Sequence, residues 1–334
     1  MDQSYFVGVD ISKSKVDYVV VNSKLEYLLH REITNKDVKL RTALKQLAKQ
    51  LEIRFEEMMV CCEDTGIYNR PLERVCSELG VLLWVEHPVK IKRASSELRG
   101  KNDKLDAWRI AEYSVRYHDR AIAHQEASEL IMKLRQEHKV RESLLAQKVA
   151  LKNQLKEAKS HDPEAYKLLH NGYRKVLKTL IQSIEESDKR LKELIEADSQ
   201  VQKNVELMTS INGIGIQTAI QFVIYTENFR SFTSAKHLAC YAGVVPFSNE
   251  SGTVVKKPRI SKMANMVLKK LLHTAAMSAI RFNKELRVYY LRKVAEGKNK
   301  MSVLNAIRNK LVHRIFVVIQ RQTPYLEEIP NPIR

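Results

Sequence analysis

YFVGVDISKSKVDYVVV, residues 5–21, decides how the first third of the chain is read. Tyr5 to Asp10 reads as one strand, the polar turn Ile11-Ser12-Lys13 interrupts it, and the valine-rich stretch from Lys15 to Val21 reads as a second. The pattern is strand, turn, strand. Beyond the polar pair Asn22-Ser23 a third strand is expected from Leu25 to Arg31, and three consecutive strands predict an antiparallel meander. Asp10 closes the first of them.

Outward from the meander, strand and helix signals alternate. Val38, Leu40, Leu44, Leu47 and Leu51 recur at helical spacing within residues 36–51. Glu57 to Cys62 reads as a buried strand, Pro71 to Leu79 as a helix, and Val81 to Val85 as a further strand after the Gly80 stop. His87-Pro88 opens a short helix, and Asn102 to Val115 forms another with Asn102 as its cap. Residues 1–120 are therefore expected to be an α/β domain.

CCEDTG, residues 61–66, raises the question of whether a metal binds there through sulfur or oxygen. The chain has four cysteines and no Cys-x-x-Cys pair, so they read as reduced core residues. Oxygen is the better candidate. Asp10 ends the first strand, and Glu63 ends a strand that a ribonuclease-H-like order sets beside it. Asp103 and Asp106 lie one helical turn apart, so both carboxylates face the same way. Singly, each acid has an ordinary reading as a turn cap, a lysine partner or a helix N-terminal charge. Together they form an oxygen cage suited to Mg²⁺ or Mn²⁺, with two ions roughly 3.5 to 4 Å apart acting on a phosphodiester.

Residues 121–200 are nearly free of Gly and Pro. Leu144, Leu151 and Leu155 fall on one stripe, and Leu177, Ile181, Ile184, Leu191 and Ile195 on another. Two long helices joined near His161-Asp162-Pro163 are expected as a coiled coil, paired within the chain or between chains. Arg141 and Lys148 interrupt the first seam. Residues 201–334 open with SINGIGIQTAIQF at 210–222, where Gly213 and Gly215 precede an apolar helix. The pattern is like that of helix-hairpin-helix DNA-backbone binders, whose exposed amides hold phosphate. A plain helix-helix turn is the simpler alternative.

Charge narrows the partner. The formal net charge is +18, and residues 251–321 carry 17 Lys or Arg against only Glu285 and Glu296. A one-signed region of this kind suits a polyanion. No apolar run approaches the roughly 20 residues needed to cross a bilayer. The N-terminus also lacks the basic-then-apolar order of a signal peptide, so a soluble cytoplasmic protein is expected.

The motifs GVDISKSKVDYVV, CCEDTGIYN, RGKNDKLDAWRIAEY, SINGIGIQTA, YAGVVP and ESGTVVKKPRISKMAN, in that order, resemble the IS110-type DEDD transposases of bacterial insertion sequences, a family that includes site-specific DNA invertases. The acidic tetrad alone would be shared with junction resolvases of the RuvC kind; the C-terminal motifs make the resemblance specific. It implies a RuvC-like domain, central coiled-coil helices over 121–200, and a mainly helical C-terminal transposase domain over 201–334. It also implies a homo-oligomer, a guide RNA and recombination of donor and target DNA. The tetrad falls on Asp10, Glu63, Asp103 and Asp106, which would bind Mg²⁺ or Mn²⁺. The family's serine nucleophile matches Ser251, with Ser248 and Ser261 as rivals. Lys256, Lys257, Arg259 and Lys262, with Gly213 and Gly215, are the expected nucleic-acid contacts. Three classes compete: an RNA-guided recombinase, a junction nuclease acting through water, and a non-catalytic DNA-binding protein. An invertase working without a guide RNA is a variant of the first.

Overall fold

A computed structural model of the chain describes residues 3–94, 102–125, 127–230, 232–251, 254–259 and 263–326; side chains of 248–251 and 254–259 are outside the description, as are Ser261 and Lys262 altogether. The chain divides into two compact units, residues 1–126 and 127–334. The helices expected over 121–200 and those expected over 201–334 share the second unit.

The first unit is α/β. β1 (Tyr5–Ile11), β2 (Lys15–Asn22) and β3 (Tyr27–Thr34) form the antiparallel meander that the opening motif predicts. α1 (Asp37–Leu51) follows, then β4 (Met58–Glu63), α2 (Arg70–Leu79), β5 (Leu82–Glu86), α3 (Pro88–Ala94) and α4 (Asp103–Arg116). The sheet order is β3-β2-β1-β4-β5, with β4 parallel to both β1 and β5. That is the placement of β4 beside β1 that a ribonuclease-H-like order calls for. β3 starts later than expected. Leu25 lies in the left-handed region at φ 63°, and the Asn22 side chain accepts from the Lys24 and Glu26 amides, so the turn extends to Glu26.

Strand alternation divides the sheet into two working faces. Val7, Val9, Ile11, Val16, Val20, Val60 and Cys62 pack against the apolar stripes of α1 and α2, including Leu40, Leu44, Leu47, Leu72 and Val75. Phe6, Val19, Val21, Met59, Cys61 and Trp84 turn the other way, toward Ala107, Ile110 and Ala111 of α4. Gly8 sits on this second face. A Cβ there would overlap the Ala107 carbonyl oxygen and the Ala111 backbone. Helix α4 lies against β1 because the strand has no side chain at that point. Asn102 caps α4 through a bond to its Oδ1 from the Leu105 amide, 2.7 Å, as the sequence predicts.

The second unit begins with α5 (Glu129–His161) and α6 (Pro163–Glu196), which pack along one another and meet at Asp162, the N-cap of α6, with Pro163 at its first helical position. Arg141 does not break their seam. Its guanidinium reaches Asp188 of α6 at 2.6 Å, so the charge crosses the interface as an ion pair. α7 (Ser199–Thr209) and α8 (Ile216–Thr226) form a helical hairpin, followed by α9 (Ala235–Tyr241). β6 (Phe247–Ser251) and β7 (Val254–Arg259) pair as a two-stranded antiparallel ribbon. α10 (Met266–Phe282), α11 (Lys284–Ala295) and α12 (Lys300–Arg321) complete a core to which Leu268, Leu272, Ile307, Leu311 and Ile315 belong. Among the described residues no helix is long and apolar enough to cross a membrane.

Candidate metal centre and nucleic-acid interface

Parity along the strands places the acids. Asp10 follows Phe6 and Gly8 at two-residue steps, and Glu63 follows Met59 and Cys61, so both belong to the α4 face. The same counting puts Lys15 and Asp17 of β2 and Glu86 of β5 on that face. Asp10 pairs directly with Asp17 across the hairpin, and Glu63 with Glu86 across the parallel edge. Asp103 and Asp106 come from the first turn of α4.

Electrostatics shows that these groups sense one another. Burial pushes the Asp10 carboxyl up to about 6, and the charges of Asp106, Asp103 and Asp17 push the same way, against one backbone bond from Ile11. Glu63 is raised by burial first and then by Asp10 and Asp106. Like charges crowded into a half-buried face disfavour ionisation. A divalent cation would relieve that repulsion. The donor set fits a hard cation in type, since all four groups offer carboxylate oxygens. Among the described residues, however, no three acidic, His or Cys side chains converge tightly enough to ligate an ion in this conformation. Two basic side chains hold the face instead. Lys15 Nζ lies 2.5 Å from Asp103 Oδ2, 3.1 Å from Glu32 and 3.5 Å from Asp17, and Arg109 lies 2.7 Å from Asp106.

Sulfur takes no part. Cys61 and Cys62 are fully buried, and burial drives both thiols well above their ordinary range; Cys76 is pushed up to about 12 for the same reason. A protonated thiol in an apolar core is not a ligand.

Three residues on this face escaped the sequence reading. Asp17 is 4% exposed and meets His30 Nε2 at 2.9 Å. Glu86 is also buried, contacted by Lys90 at 3.0 Å and by the Tyr113 hydroxyl, which donates at 3.2 Å. Lys15 is the cation just described. The signal was available in principle: Asp17 shares strand parity with Lys15 and falls opposite Asp10 once the turn is closed at Ser12 and Lys15. Their role requires the register, which the sequence pattern leaves unspecified.

In the second unit, Gly213 has φ 104°, and a Cβ there would stand 2.7 Å from the Ala275 carbonyl of α10. Both the left-handed backbone and the close helix approach call for glycine there. Gly215 precedes α8 on open surface. Ser251 is the last residue of β6, paired with Val254, and Lys256, Lys257 and Arg259 lie on β7.

Comparison with known proteins gives matches along most of the chain. A DEDD transposase model of the IS110 type matches residues 7–158, and a model for the transposase IS116/IS110/IS902 family matches residues 205–291. The pilin gene-inverting protein of Moraxella lacunata is 27% identical over 80% of this chain and 81% of its own. The IS110 insertion-element 43.6 kDa protein of Streptomyces coelicolor is 26% identical over 46% of this chain, a stretch that spans 38% of that protein. The transposase for insertion sequence element IS1111A of Coxiella burnetii is 23% identical over 67% of this chain and 68% of its own. Among solved structures, T. thermophilus RuvC in complex with a Holliday junction substrate matches at 12% identity and a TM-score of 0.29, covering 36% of this chain and 97% of that one.

Proposed function

The chain belongs to the IS110 family of DEDD transposases, enzymes of DNA recombination, and from that premise we propose an RNA-guided recombinase that cuts and rejoins DNA through a serine ester. In this reading Asp10, Glu63, Asp103 and Asp106 would hold two divalent cations, Mg²⁺ or Mn²⁺, once drawn together from the conformation described above. Bound there, such ions would supply Lewis acidity to the attacking hydroxyl and the leaving oxygen. The observation that carries the reading is the gathering of strand-end and helix-turn carboxylates on one face under the α4 N-terminus, where Asp10 is raised to about 6 by burial and neighbouring acids.

The nucleophile in this reading is the Ser251 hydroxyl. Its oxygen adds to a backbone phosphorus, the bond from phosphorus to the bridging sugar oxygen breaks, and that oxygen leaves carrying a proton equivalent to the one Ser251 gives up. The sugar hydroxyl of a second strand then reverses the exchange. One phosphate ester replaces another at each step, so rejoining needs no external energy source. Lys256, Lys257, Arg259 and Lys262 neutralise phosphate, and Gly213 and Gly215 present backbone amides to the strand. The α5–α6 hairpin is the candidate coiled coil of a homo-oligomer, and α7–α8 the candidate helix-hairpin-helix.

The test uses the full chain with its copurifying RNA, its DNA ends and Mg²⁺. A covalent protein-DNA adduct is expected to survive denaturing electrophoresis, to vanish in Ser251→Ala, and to vanish in Asp10→Asn while DNA and RNA binding persist. An adduct in Ser251→Ala moves the nucleophile to Ser248 or Ser261. Cleavage by the native chain without any adduct replaces this reading with a junction nuclease that uses water.

A further inference from the structure

On the flank of α4 lies a cavity that the acid chemistry does not use. Its volume is about 450 Å³, and Val19, Tyr27, Asn102, Lys104, Leu105 and Trp108 line it. Tyr27, from the edge strand β3, is 48% exposed. Its ring centroid stands 6.2 Å from that of Trp108, with the planes inclined at 39°. Lys104 Nζ sits 5.2 Å over the Tyr27 ring. The Oδ1 of Asn102 is engaged in capping α4, which leaves its amide hydrogens as donors at the cavity wall.

We propose that this cavity receives an unpaired nucleobase of the strand whose phosphates lie at the acid face. The inference rests on the nucleic-acid reading above and adds to it a site and a ligand class.

Three features select the ligand. Two aromatic rings offer a π-surface, and Leu105 an apolar wall, to a flat, weakly polar ring, and every base has such a face. Lys104 adds a cation at the rim, complementary to the phosphate that a base carries with it. The volume lies within the range of sites that hold small ligands, enough for a base and its sugar. A paired duplex shows only base edges, so a stacking site of this kind requires a base out of its pair.

Position supplies the remaining argument. Lys104 is the next residue after Asp103, and Trp108 follows Asp106 by two on the same helix. The base-contacting and carboxylate groups thus lie within two turns of α4, a span of about 8 Å, comparable to one nucleotide with its phosphate. A base seated here would fix the register of the strand beside the carboxylates. It would select phosphates that flank unpaired positions over those inside a duplex.

Trp84 is buried and Trp108 is partly exposed, so replacing Trp84 with Phe leaves Trp108 as the sole tryptophan reporter. Single-stranded DNA and single-stranded RNA oligonucleotides are each titrated in EDTA, with a fully paired duplex as control, while binding is followed independently by filter retention. Quenching of Trp108 emission by a single strand at saturation is expected, with little quenching by bound duplex. The stronger of the two single-strand responses assigns the base to DNA or to RNA. Trp108→Leu should weaken single-strand affinity roughly tenfold or more and leave duplex affinity unchanged. If Trp84→Phe misfolds, 2-aminopurine emission in the oligonucleotide reports the same stacking with the native chain. Saturated single-strand binding without any change in Trp108 or 2-aminopurine emission overturns the proposal and leaves the recombinase reading intact. No binding of any nucleic acid overturns both.

Discussion

The acid face of the first unit and the basic stretch of the second handle charge in opposite ways. On the sheet, a few carboxylates sit at positions fixed by strand parity, by the Asn102 cap and by a helix held close at Gly8. Residues 251–321 carry 17 basic residues against two acids, and 15 of the 17 lie on β7 and three helices. Charges of the first kind repel one another and depend on exact placement. Those of the second kind act as a field, and one can substitute for another. In the proposed function, geometry therefore carries the chemistry in the first unit, and composition carries the affinity in the second.

The most severe break of that contrast is Gly8→Val. The new side chain collides with the backbone of Ala107 and Ala111, neither of which can move as a flexible side chain would. Either α4 lifts from the sheet or the sheet domain fails to close. A loss of about 3 kcal/mol or more is expected, read from the urea midpoint of the first unfolding transition. A variant that retains native stability would show that α4 is not seated on β1 as described. Replacing an exposed basic residue of α11 such as Arg292, by contrast, should cost less than about 1 kcal/mol, because its ion pair with Glu296 lies at the surface.

The basic stretch is tested by salt rather than by mutation. If several of its residues contact phosphate, affinity for duplex DNA should fall by roughly an order of magnitude or more between about 50 and 200 mM salt. Removing one lysine should lower the slope by about one unit without abolishing binding. A flat response would make the charge a solvated surface and leave the acid face as the sole functional feature.

What the sequence revealed follows the same division. Strand parity, the Asn102 cap, the Gly80 stop and the joint at Asp162-Pro163 are local signals, and each marks the element it predicts. The side-by-side placement of β1 and β4 needed only a strand order. The contacts of Asp17, Lys15 and Glu86 are different, since they depend on which residue faces which across a ladder. A turn one residue longer would have moved Asp17 away from Asp10. Arg141 shows the same limit: a charge in an apolar stripe reads as an interruption until its partner Asp188, on another helix, is known.

The smallest effect expected sharpens the comparison most directly, because it isolates the repulsion within the acid face. The Asp10 carboxyl is raised from 3.8 to about 6 in the folded chain, so folding is opposed by its charge at neutral pH. The folded state binds that proton more readily than the unfolded state does. The corresponding stability is present in full below about pH 4 and is lost as pH rises through about 6. Asp10→Asn removes the charge and keeps the shape. Measured in EDTA, it should therefore raise stability above pH 7 and give no gain near pH 4. A shift of this size corresponds to about 3 kcal/mol at most, and solvent screening of a half-buried group reduces the expected gain to about 1 kcal/mol. Adding Mg²⁺ should stabilise the native chain and leave Asp10→Asn nearly unmoved, reversing their order. If Asp10→Asn is less stable than the native chain in EDTA at pH 8, the carboxylate is held by attractive contacts, and the account of the acid face as mutually repelling ligands fails.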